Sequence, residues 1–239
     1  MPERTIILHY HLFKNAGTSF DRILKENFPG RWVTREFSTK DSLNTEQVED
    51  WIRSETRAVA FSSHTMLGPL PKVDGVRILS VLFLRDPVAR IVSAYNFERH
   101  QQADTFGAQL ARQHDFEGYV RSRLATKGDR QCRNFQVSRL AAFVPGPEAE
   151  LERASAALDL LTFVGRVEDF SNSVAGLSER IAPHFNNFVA RSIHVNISER
   201  SAVPLDPGVV ALLEQNNGDD RMLLQRFDAH RARRTSPLG

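Results

Sequence analysis

The run Ile78–Leu84 (ILSVLFL) is the most continuous apolar stretch of the chain, and it narrows the possible folds more than any other feature. A strand apolar on both faces must be covered on both, which marks a central strand of a parallel α/β sheet. It stops at Arg85-Asp86-Pro87, where Asp86 suits a helix N-cap and Pro87 the first helical residue. Val88, Ile91, Val92 and Tyr95 then carry an apolar face inward. The unit reads strand, tight turn, helix, with Arg85 at the strand's carboxyl end and Ser93 on the helix.

A second unit of the same order opens the chain. The β-branched run Ile6-Ile7-Leu8 leads to the loop Lys14-Asn15-Ala16-Gly17-Thr18-Ser19, and Phe20, Ile23, Leu24 and Phe28 follow at helical spacing. A helix that opens after such a loop aims its unpaired N–H groups and its positive dipole end above the strand. Gly17 allows close approach of the backbone, Thr18 and Ser19 add hydroxyl donors, and Lys14 adds a mobile charge. Together they suit a phosphate or sulfate cradle. An ordinary βα turn with a solvated lysine is the plain alternative. The order is not that of the nucleotide loop GxxxxGK[ST], because Lys14 precedes the glycine and no lysine follows it.

Between these units, Trp32–Phe37 reads as a short strand and Asn44 with Gln47 as a capping box for the next helix. Ala58–Phe61 reads as a strand that leads into Ser62-Ser63-His64, so His64 falls just past a strand's carboxyl end. Ligands of open α/β sheets sit outside those ends, so two adjacent units would share one crevice, with His64 opening into it. Further on, Thr162–Gly165 reads as a strand, Phe170–Ile181 as a helix, and Asp206-Pro207 as the start of another reaching about Gln215. The last helix runs out in a basic tail.

The 239 residues, 41% hydrophobic and 25% charged, suit one large α/β domain with a helical region at about 99–145 and a helical C-terminal part at about 206–232. A net charge of only +2 gives no indication of bulk nucleic-acid binding. Eight basic residues against four acidic ones between Arg99 and Arg139 are either a solvated face or the place of an anionic ligand. The lone cysteine, Cys132, excludes an internal disulfide and reads as inert. The first strand begins within five residues, and no apolar stretch approaches the ~20 residues of a membrane span. These features lead to the expectation of a cytoplasmic protein. His9 and His11 share one strand face, but with no third ligand evident a structural role is expected rather than a metal site. Arg90 reads as an exposed helix arginine or a phosphate ligand, Tyr95 as a packing residue, and Asn196 as a turn former.

LFKNAGTSF resembles the 5′-phosphosulfate loop, and LFLRDPVARIVSAYNF the 3′-phosphate motif, of sulfotransferases that use 3′-phosphoadenosine 5′-phosphosulfate (PAPS). The carbohydrate branch that contains heparan and uronyl 2-O-sulfotransferases is the most similar. Phe13 and Asn15 depart from its proline-lysine-threonine run. FSSHTMLG resembles its histidine segment, RQCRNFQVSRL its arginine-asparagine segment, and Phe163–Phe170 its glycine-x-x-glutamate segment. The resemblance implies an α/β fold, a central parallel sheet flanked by helices and related to nucleotide kinases.

It also implies roles for single residues. Lys14 would contact the bridging and sulfuryl oxygens, and Asn15, Ala16, Gly17, Thr18 and Ser19 would form the loop that holds the 5′-phosphate. Arg85 and Ser93 would bind the 3′-phosphate, and Arg130 or Arg133 would reach the cofactor or the acceptor, a carbohydrate or other hydroxyl compound, for which the basic 99–139 stretch hints at an acidic sugar. His64 is the candidate base, with a strand-end cap as its plain alternative and Glu98 or Glu168 as substitute bases. No metal is expected. The rival functions are a P-loop-like small-molecule kinase and a non-catalytic nucleotide-binding module.

Overall fold

A computed structural model describes residues 3–38, 43–190 and 205–235, and for residues 232–235 the backbone only. Asn196 lies outside the described residues. Five parallel strands form one sheet in the order β2-β3-β1-β4-β5: β1 (Arg4–Tyr10), β2 (Trp32–Thr34), β3 (Ala60–Ser63), β4 (Val76–Leu84) and β5 (Phe163–Arg166). The central α/β sheet expected from Ile78–Leu84 is therefore present, with β4 buried between β1 and β5.

Alternation along β1 assigns its side chains to two layers. Ile6, Leu8 and Tyr10 face a core shared with α2 (Thr45–Ser54), α6 (Phe135–Ala141), α7 (Glu150–Leu160) and α10 (Gly218–Thr235). Ile7 faces the other core, built with α1 (Gly17–Asn27) and α8 (Phe170–Ile181), and His9 points the same way, against Phe20 of α1. A third cluster joins α3 (Pro87–His100), α4 (Phe106–Gln113), α5 (Phe116–Ala125) and α9 (Pro207–Asn216).

Most element boundaries agree with the sequence reading, and α8 agrees to the residue. Asp86 and Asp206 cap α3 and α9 through their side chains, as expected. Two expectations need correction. The strand at Trp32 ends at Thr34, and beyond it the Phe37 N–H donates to the Thr65 hydroxyl (2.6 Å). Asn44 does precede α2, but its side chain does not cap it. Instead, Oδ1 accepts from the Leu67 N–H and Nδ2 donates to the Thr65 carbonyl, which binds the loop after His64 to the helix.

Strand order explains where a site belongs. From β1 the chain moves outward to β2 and back through β3; from β4 it moves to β5 on the opposite side. The carboxyl ends of β1 and β4 therefore flank a topological switch point, the position at which open α/β sheets hold ligands.

Candidate active site

A cavity of about 310 Å³ opens at this switch point, lined by His11, Phe13, Lys14, Ala16, Gly17, Thr18, Ser19, His64, Arg85, Ser93 and Phe97. Three strand ends supply its walls: the turn after β1, His64 after β3, and Arg85 after β4.

The β1–α1 turn is held in an unusual backbone shape. Lys14 (φ 64°) and Ala16 (φ 58°) both adopt the left-handed conformation, which side chains other than glycine rarely take. No side chain caps α1, so the N–H groups of its first turn face the cavity together with the Thr18 and Ser19 hydroxyls. Gly17 is required for a reason that sequence alone does not give: a Cβ there would lie 2.0 Å from the His11 ring.

Asn15 differs from its expected place in the cradle. Its side chain is buried and anchors the turn from behind, with Nδ2 donating to the Phe83 carbonyl (2.7 Å) and to Gln136 Oε1 (2.9 Å). The same Gln136 oxygen accepts from the Arg85 N–H (2.8 Å), and Gln136 Nε2 donates to the Arg85 carbonyl (2.8 Å). Gln136, which the sequence reading passed over, thus joins both phosphate-type turns. Asp220 of α10 secures it in turn, accepting from the Gln136 and Val137 N–H groups.

Lys14 and Arg85 meet directly, with Arg85 Nη1 donating to the Lys14 carbonyl (2.9 Å). Burial, reinforced by Arg85, lowers the pKa of Lys14; burial also lowers that of Arg85, opposed by Glu168 and Asp86. Two partly desolvated cations thus line one cavity. The Lys14 ammonium rests 4.4 Å from the centre of the Phe97 ring, which packs edge-on to Phe13.

His64 also lines the cavity and is half-exposed, with its Nδ1 2.7 Å from Glu36 Oε1. Its ring lies 3.7 Å from that of His11. Asp21 of α1 accepts from Nδ1 of both His9 (2.8 Å) and His11 (2.9 Å). The third group missing from the sequence reading of His9 and His11 is therefore Asp21, eleven residues or so along the chain on the facing helix. Hydrogen bonds close this trio, and its ligand atoms all lie within 4.8 Å of one another, so the lack of a third ligand, on which the structural reading of the two histidines rests, does not hold. Burial alone would raise Asp21, but the two imidazoles hold it far below the usual carboxylate range. Burial keeps His11 below the usual histidine value, against Asp21.

The remaining candidates lie elsewhere. Arg130 pairs with Glu150 (2.8 Å), and Arg133 donates to the Leu124 carbonyl (2.9 Å), so neither lines the cavity. Glu98 is buried against Arg123 (2.8 Å) and the Tyr119 hydroxyl (2.6 Å). Glu168 accepts from the Asp86 N–H (2.7 Å) and from Arg166, and so braces the turn at Arg85. Neither substitute base reaches the cavity. Arg90 is neither exposed nor a cavity residue: it is fully buried, with its guanidinium 4.3 Å from the centre of the Phe135 ring. Tyr95 packs as expected, and burial pushes the Cys132 thiol up to about 12, which fits an inert cysteine.

The model of the Sulfotransferase family matches residues 1–138, a span that contains both turns, His64 and Gln136. The chain belongs to this family, and sulfuryl transfer is the chemistry that membership supports. An uncharacterized protein of Archaeoglobus fulgidus is 41% identical over 212 residues, which cover 85% of this chain and 83% of that protein. Among the described residues, no helix is long and apolar enough to cross a membrane.

Proposed function

We propose that the protein is an O-sulfotransferase that moves a sulfuryl group from PAPS to a hydroxyl of a carbohydrate or glycan-like acceptor, and that residues 1–239 work as a single transferase unit. The observation that carries this reading is the meeting of Lys14 and Arg85, 71 residues apart, on one wall of one cavity. PAPS presents an anion at each end of its ribose, and the cavity presents two anion sites: the uncapped start of α1, and Arg85 with Ser93.

When bound, the donor supplies the sulfuryl group and a phosphate leaving group. The N–H groups of Gly17, Thr18 and Ser19 hold the 5′ end, and Arg85 and Ser93 hold the 3′-phosphate. Lys14 stabilises the charge that develops on the bridging oxygen as the sulfur–oxygen bond breaks. His64 takes the acceptor's hydroxyl proton as the new oxygen–sulfur bond forms. No metal is proposed.

The acceptor reading changes in one respect. Every arginine of the basic 99–139 stretch has a partner inside the protein, including Arg99 with Tyr95, Arg121 with Glu117, and Arg139 with the His64 and Met66 carbonyls. Arg112, Arg123, Arg130 and Arg133 are likewise engaged. That surplus thus gives no support for an acidic acceptor. Phe13 and Phe97 instead form an aromatic wall suited to the apolar face of a sugar ring.

The kinase reading is disfavoured because no carboxylate lines the cavity among the described residues. Calorimetry without magnesium is expected to give tighter binding of adenosine 3′,5′-bisphosphate than of ATP. Transfer of labelled sulfuryl from PAPS to mixed oligosaccharides should be ~100-fold or more slower in Lys14→Ala and His64→Ala. Preference for ATP would favour a kinase, and binding with no transfer to any hydroxyl acceptor would favour a non-catalytic module.

A further inference from the structure

We propose that Glu36 is the positioning partner of His64: it fixes the ring through Nδ1 and leaves Nε2 bare to receive the acceptor's proton. This rests on the reading of His64 as the base. Glu36 lies two residues past β2, and nothing in its local sequence distinguishes it from a solvated loop carboxylate.

Its surroundings are those of a built pair. Glu36 Oε1 accepts from His64 Nδ1 (2.7 Å) and from the His64 N–H (3.3 Å), while Oε2 accepts from the Thr65 hydroxyl (2.8 Å) and the Ser63 hydroxyl (3.4 Å). Burial would raise the Glu36 carboxyl, but these bonds hold it below its ordinary value, so it stays an anion. Arg139 Nη2 donates to the His64 and Met66 carbonyls (both 3.0 Å) and pins the backbone beneath the ring. His11, held by Asp21, closes the other side of the imidazole.

A carboxylate on Nδ1 selects the tautomer that carries its hydrogen there, which makes Nε2 the free acceptor. During transfer the acceptor oxygen bonds to sulfur, and its proton passes to Nε2. The bond from sulfur to the bridging oxygen breaks, and its electron pair leaves with adenosine 3′,5′-bisphosphate. His64 then carries a positive charge beside the Glu36 anion. His11, kept neutral by burial, does not oppose that charge. The charged groups around His64 are thus Glu36 from the β2 loop, Arg139 from α6 and the His11–Asp21 pair, and Lys14 and Arg85 line the same cavity.

The test uses the full chain saturated with adenosine 3′,5′-bisphosphate, with the His64 ring nitrogens followed by NMR across pH. The wild type is expected to show the Nδ1–H tautomer. Glu36→Gln retains an oxygen for that hydrogen bond but removes the charge. It should melt as the wild type does, and because the glutamine amide can either accept from or donate to Nδ1, its His64 should populate both tautomers. In sulfuryl transfer to mixed oligosaccharides, Glu36→Gln should turn over at least ~10-fold more slowly, with the acid limb moved to lower pH and partial recovery in Glu36→Asp. An Nε2–H tautomer in the wild type overturns the pairing. So does wild-type turnover with an unchanged tautomer in Glu36→Gln while His64→Ala is inactive, an outcome that leaves His64 as the base. An active His64→Ala removes the base reading itself.

Discussion

Gly17 meets two demands at one residue: it starts α1 at the cavity, where the proposed function has its N–H hold the 5′ end of the donor, and its missing side chain leaves room for the His11 ring. The ring cannot move aside freely, because Asp21 holds Nδ1 and His64 lies against its face. Gly17→Ala should therefore destabilise the protein by about 1–3 kcal/mol through overpacking and weaken adenosine 3′,5′-bisphosphate at least ~10-fold. Thermal melting and calorimetry check both, and an unchanged affinity would mean that the cradle tolerates a displaced His11. Lys14, Ala16, Gly17, Thr18, Ser19, His64, Arg85 and Ser93, all legible as candidates from local motifs, line one cavity. Glu36 and Gln136 were not foreseen, since the partners that give them meaning lie 28 and 51 or more residues away.

Among elements, α3 is the hinge between site and scaffold. Asp86 caps its amino end directly after Arg85, and its far end buries Glu98 against Arg123, which also holds Asp129 (2.7 Å). Gly107 of α4 lets this pair fit, because a Cβ there would fall 2.1 Å from Arg123 Nη2. Glu98→Ala leaves a buried guanidinium and the Tyr119 hydroxyl with fewer acceptors and should cost about 3–5 kcal/mol of stability. Denaturant unfolding measures this cost, and the folded fraction should keep its turnover. Lost turnover at unchanged stability would instead return Glu98 to the role of base. Local pattern sufficed to place β4, α3 with its Asp86 cap, and α8, because periodicity and capping are short-range. It failed for Asn44, whose side chain answers to Leu67 and Thr65, and for the basic stretch, whose arginines are satisfied by contacts that the linear order does not reveal.

Across the whole molecule, the strand order β2-β3-β1-β4-β5 turns two similar local units into one site. Parallel pairing of β1 with β4 sets Tyr10 beside Leu82, so the turns that follow emerge side by side. Gln136 and Asp220 then lock both turns to α6 and α10 on one face of the sheet. The proposed function requires one turn to hold the 5′ end of the donor and the other its 3′-phosphate. The most direct measurement compares adenosine 3′,5′-bisphosphate with adenosine 5′-monophosphate by calorimetry, in the wild type and in Arg85→Ala. The wild type is expected to prefer the 3′-phosphorylated ligand strongly, and Arg85→Ala to lose most of that preference while still binding the monophosphate. A preference that survives intact in Arg85→Ala would contradict that requirement.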